Sequence, residues 1–83
     1  MVVIKNIHKD KTTISCDYYP EDSEYKGHIL VNIASREIIE HEASGFPGRL
    51  VFTDRSYAGM ARERLVQLYP SEKMPERDVV MWY

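Results

Sequence analysis

Apolar positions recur with two different periods along this chain, and the change of period marks its organisation. Residues 2–7, VVIKNI, are rich in β-branched side chains and predict a first strand. HKDK makes a polar turn. Over 12–19, TTISCDYY, alternation puts Ile14, Cys16 and Tyr18 on one face and Thr13, Ser15, Asp17 and Tyr19 on the other. Pro20 ends that pattern, and PEDSEYKG forms an acidic loop closed by Gly27. A second hairpin follows, with HILVNI at 28–33, a turn at ASRE, and a more polar return strand, EIIEHE, at 37–42. Glu37, Glu40 and Glu42 on that strand suit a solvated face or a charged edge that resists unwanted pairing.

ASGFPGRL then breaks the regular structure, and LVF at 50–52 reads as a brief strand or a staple into a helix. Thr53 or Asp54 supplies an N-cap oxygen for the free amides of the first turn. From 55 to 69 the period becomes helical, with Ala58, Ala61, Leu65 and Leu68 on one face, and Pro70 stops the helix. After the connector SEKMPERD, the ending VVMWY at 79–83 predicts a last strand. Its alternation sends Val79, Met81 and Tyr83 one way and Val80 and Trp82 the other. One set is expected to pack beneath the helix and the other to form a partner or dimer surface. Deleting 81–83 is expected to remove central packing. The order ββββαβ, without repeats, predicts one α+β domain over 1–83. It is a two-layer sandwich of a mainly antiparallel sheet of about five strands with one amphipathic helix on one face.

Composition narrows the function classes. With 83 residues the chain makes one small domain, and 43% hydrophobic residues are too many for a disordered one. A net charge of −2 is far from the strongly basic balance of a dedicated phosphate-backbone binder. A single cysteine, Cys16, leaves no intramolecular disulfide and no cysteine cluster for zinc. No apolar run approaches the ~18–20 residues that span a bilayer, and MVVIKNIHKD lacks the pattern of a signal peptide. A cytoplasmic location without membrane contact is the expectation.

Candidate chemistry is sparse. His8, His28 and His41 have no helical i, i+4 pairing, and EHE sets His41 on the face opposite Glu40 and Glu42, so no metal or cofactor is expected. Cys16 shares its face with Ile14 and Tyr18 and reads as a packed small hydrophobe, not a nucleophile. SGFPGR lacks the glycine spacing of a phosphate loop and explains itself as a turn, with Phe46–Pro47 a candidate cis bond. PEDSE lacks the spaced acids and central glycine of a calcium loop.

One charge asymmetry stands out. Asp17, Glu21, Asp22 and Glu24 lie close together without a positive charge, whereas Arg49, Arg55, Arg62 and Arg64 outnumber Asp54 and Glu63. Arg55 and Arg62 on the outer face of the helix would make a basic ridge, with Tyr19 or Tyr25 available to stack on bases. The same ridge suits an acidic protein surface, including a second copy of the chain. Six tyrosines favour a binding module. The leading expectation is therefore a small, non-catalytic, bacterial-type domain that works through protein contacts and self-associates as a homodimer or other homo-oligomer. Its interaction residues would be Tyr19, Tyr25, Arg55, Arg62, Val80 and Trp82. The alternative is a nucleic-acid-binding regulator using helix 55–69. The third reading is a small enzyme or nuclease-like toxin with Arg62, His41 or Tyr57 assisting phosphoryl chemistry.

Overall fold

The computed structural model describes residues 1–47 and 52–82. Their elements run β1 (Val2–Lys9), β2 (Thr13–Pro20), β3 (Gly27–Asn32), β4 (Glu37–Glu42), α1 (Asp54–Leu68) and β5 (Arg77–Val80). The strands form one antiparallel sheet in the order β4-β3-β2-β1-β5, and α1 packs across one face, mainly over β2. This is the α+β sandwich the two periods predict.

The alternating apolar positions of the first hairpin face the helix. Ile4 pairs with Tyr18, Ile14 with Val31 and Cys16 with Ile29, and all six are fully buried. Tyr57, Ala58, Ala61 and Leu65 meet them from α1. The two alanines bring the helix axis close to the sheet, and each large aliphatic side chain removed from water contributes ~1.5–3 kcal/mol. Thr53 is the N-cap, and its own N–H donates to the Ser56 hydroxyl at 3.4 Å. At the other end no basic residue of α1 lies in the last turn. Lys9 of β1 supplies the charge instead, its Nζ donating to the carbonyls of Tyr69 (2.9 Å) and Ser71 (2.7 Å).

Several boundaries differ from the sequence expectation. β1 runs on to Lys9 after a register shift at Asn6, whose φ of 53° lies in the left-handed region. Pro20 is the last residue of β2, not a break before its end, since its missing N–H costs nothing at a strand terminus. The Phe46–Pro47 bond is trans. Of LVF, only Phe52 falls within the described residues. The last strand is the largest correction, for it occupies 77–80 instead of 79–83. It pairs along β1 with Val2 opposite Val80 and Lys5 opposite Arg77, which makes it an edge strand. Met81 is therefore exposed, and the ending contributes through Val80 and Trp82 instead of through a central strand.

A cleft between α1 and the edge of the sheet

Because α1 lies mainly over β2, the helix-facing side of β4 extends beyond its cover. A bulge decides what stands there. Leu30 opposes Glu40 and Val31 opposes Ile38, so Ile39 faces no residue of β3 and stands half exposed. The extra residue resets the alternation and puts Ile38 and His41, three positions apart, on the same inner face.

α1 faces them with Arg55, Gly59 and Arg62, spaced by four and three along one side of the helix. Ile38, His41, Arg55, Ala58, Gly59 and Arg62 enclose a cleft of about 330 Å³. Arg55 meets no carboxylate among the described residues. Arg62 gives one guanidinium nitrogen to Glu63 at 2.8 Å, while its Nε is buried without a hydrogen-bond partner. Gly59 sits between the two arginines. Its φ is not left-handed, and a Cβ added there would meet nothing within 4 Å. Neither backbone geometry nor crowding calls for glycine, although glycine within a helix costs ~0.5–1 kcal/mol relative to alanine.

His41 is held in place from behind. Tyr18, fully buried, donates its hydroxyl proton to Asp54 Oδ2 at 2.7 Å, and His41 Nε2 lies 2.7 Å from the same phenol oxygen. With the phenol proton on Asp54, His41 donates through Nε2–H and keeps Nδ1 as its remaining polar atom. Burial first, and then the hydrogen bond and charge of Asp54, raise the Tyr18 pKa well above its ordinary value, so the phenol stays a donor. Ser44 closes the group, with both its N–H and its hydroxyl directed at Asp54.

A second hollow, about 490 Å³, opens on the other side of the same helical stripe. Arg55, Gly59 and Arg62 border it too, opposite Phe52, Met60 and Trp82, with Ser56 and Glu63 at its edge. Trp82 packs edge-on against Phe52 and tilted against Tyr57, each at 5.6 Å between centroids.

The residues singled out from the sequence thus separate into distinct groups. Arg55 and Arg62 share a ridge, as their spacing implies, and His41 joins them. Tyr57 does not: it is buried, and its hydroxyl donates to Glu21 at 2.7 Å. Tyr19 and Tyr25 are also remote from the ridge. Tyr19 lies on the opposite face of the sheet beneath the Lys5 ammonium (4.9 Å), and Tyr25 packs edge-on against Phe46. Val80, expected at a contact surface, belongs to the core at 5% exposure because its pairing with buried Val2 sets it on the helix-covered face. Trp82 follows it inward yet lines the second hollow. Gly59 escaped notice in the sequence, where the one signal was a glycine inside a helical period with no turn nearby.

Several other polar groups have local partners. Asp17 bonds Asn6 (2.7 Å) and His28 (2.8 Å) on the helix-free face. Glu21 takes the terminal amine at 3.0 Å, and Asp22 lies 3.7 Å from Arg77. Cys16 is buried, and burial, with the Asp17 charge added, pushes its thiol up to about 12. Among the described residues, no three His, Cys, Asp or Glu side chains gather as a metal ion requires. No helix there is long and apolar enough to cross a membrane. No family model, curated protein or solved structure shows a significant match to this chain.

Proposed function

We propose that this protein is a small non-catalytic binding domain whose contact surface is the basic side of α1 where it borders β4. The convergence of His41, Arg55 and Arg62 on the bare backbone of Gly59 supports this reading. Three groups able to carry positive charge, in a recess sheltered by Ile38, suit an anionic group presented by a partner. The reading as a non-catalytic domain draws on the same geometry. His41 Nε2 is bonded to a phenol that itself donates to Asp54, and among the described residues no Ser hydroxyl or Cys thiol bonds to His41. Cys16 is enclosed in the core. The test is a titration of the ¹⁵N-labelled protein with inorganic pyrophosphate at low ionic strength. Amide shifts concentrated at 38–41 and 55–62, and lost in the Arg55→Ala/Arg62→Ala variant, are expected. Shifts scattered over the surface, or none, would reject the site.

Self-association is a second reading, favoured by the strand beside the cleft. β4 carries Glu37, Glu40 and Glu42, with Ile39 half exposed among them. A second copy related by a two-fold axis along this edge would set its acids against Arg55 and Arg62 and bury Ile39 at the centre. Light scattering across a dilution series tests it, and a monomer at every concentration removes it.

A further inference from the structure

Resting on the binding reading above, we infer that the ligand is a nucleotide. Its phosphate would sit in the His41/Arg55/Arg62 cleft and its base against Trp82 and Phe52 in the adjoining hollow. The two recesses differ in chemistry yet share one boundary, the stripe Arg55, Gly59 and Arg62. The arginines of that stripe face both; beyond them His41 and Ile38 wall the first recess, and Phe52, Met60 and Trp82, with Ser56 and Glu63 at the edge, wall the second. A bare anion would leave the aromatic wall unused, and an apolar ligand would leave the arginines and His41 unused. A nucleotide carries both parts, and its sugar spans the distance between them.

Gly59 connects the two. It lies where the two recesses meet, and open space surrounds the position its Cβ would take. Any longer side chain would rise between the recesses and separate them, whereas glycine lets a ligand lie across the helix backbone. Glu63 limits the charge, so the site favours a ligand with one or two phosphates close together over a long polyanion bound by charge alone.

The sole tryptophan reports directly on the hollow. The experiment follows Trp82 fluorescence while the full chain is titrated at low salt with adenosine monophosphate, a short single-stranded oligonucleotide, inorganic pyrophosphate and an acidic peptide. Saturable quenching by the nucleotide, reversed by pyrophosphate, is expected. Arg62→Ala should weaken it at least tenfold. Gly59→Leu should abolish it while leaving the melting temperature at or above that of the parent, because the substitution meets open space and replaces a poor helix former. Tighter binding of the oligonucleotide identifies the source as a strand, and equal binding per nucleotide identifies a free nucleotide. Amide shifts from pyrophosphate without Trp82 quenching by any nucleotide would retain the anion cleft and overturn this inference. Binding of the acidic peptide alone would also overturn it. Gly59→Leu binding nucleotide as the parent does would do the same.

Discussion

Gly27 is the position where one methyl group should do the most damage. It pairs with Tyr18 across β2 and β3, and the phenol ring lies directly over it. A Cβ built there falls 2.2 Å from Tyr18 Cζ, 2.3 Å from Cε1 and 2.5 Å from the hydroxyl oxygen, all well inside van der Waals contact. A free ring could swing aside. This ring cannot do so cheaply, because its hydroxyl is tied to both His41 and Asp54 at 2.7 Å. Overpacking a tight site costs ~1–3 kcal/mol, and breaking a hydrogen bond to a charged group adds ~1.5–3 kcal/mol. Gly27→Ala should therefore lose about 3–5 kcal/mol, which in a domain of this size lowers Tm by more than ~10 °C. Thermal and urea melts followed by circular dichroism measure it. The Tyr18→Phe background separates the two contributions: the untethered ring can tilt, so adding Gly27→Ala there should cost ~1.5–3 kcal/mol less than in the parent. Gly27→Ala melting within 2–3 °C (about 0.5 kcal/mol) of the parent would refute the reasoning. So would an identical cost in both backgrounds.

Three further outcomes follow from the same packing. Trp82→Ala should destabilise by ~3 kcal/mol, the lower end for losing a large aromatic side chain, because Trp82 is only partly buried; Met81→Ala, at an exposed residue, should change Tm little. Cys16 should resist a thiol reagent in the native state and react only as fast as the chain opens, so its labelling rate should rise with urea in step with unfolding. Burial alone would raise the Asp17 pKa, but the Asn6 and His28 hydrogen bonds and the Lys26 and His28 charges hold it below its ordinary value. A lowered carboxylate stabilises the fold above the unfolded pKa and loses that contribution as pH falls through the folded one. Asn6→Ala should therefore reduce stability more at neutral pH than in strong acid, where only the pH-independent cost of alanine at this left-handed φ remains, and a pH-independent difference would contradict the assignment.

Apolar periodicity made most of the fold legible. Burial under one helix is what forces Ile14, Cys16 and Tyr18 to alternate, and the switch to spacings of three and four marks α1 without ambiguity. What stayed hidden depends on pairing between distant residues. The frame of the last strand is set by Val2 opposite Val80, and nothing local to VVMWY marks that register. The bulge at Ile39 is hidden for the same reason. Strict alternation over EIIEHE separates Ile38 from His41, whereas the missing partner in β3 brings them together and creates the cleft. Arg55 and Arg62 were readable as a ridge because helical spacing alone fixes their relation. The partner wall, His41 from β4 and Trp82 from beyond β5, required the tertiary structure.

The tether that makes Gly27 sensitive also builds the cleft. Tyr18 stands in the core over Gly27, and its phenol reaches from the inner sheet face to His41 of β4. Through it the hydrophobic packing of β2 fixes where His41 stands, and Asp54, its other partner, is the first residue of α1 and the neighbour of Arg55. Ser44 draws the chain after β4 to the same carboxylate. One buried hydroxyl thus sets β4 and the start of α1 relative to each other, and these are the two walls of the cleft. Removing it with Tyr18→Phe leaves Arg55, Gly59 and Arg62 on an intact helix but holds His41 only through its longer contact with Asp54 at 3.5 Å. Anion binding should then weaken without vanishing, whereas loss of Arg62 removes one of the two cations both recesses share. A Tyr18→Phe protein that bound pyrophosphate as tightly as the parent would show that the two arginines suffice and that His41 merely borders the site.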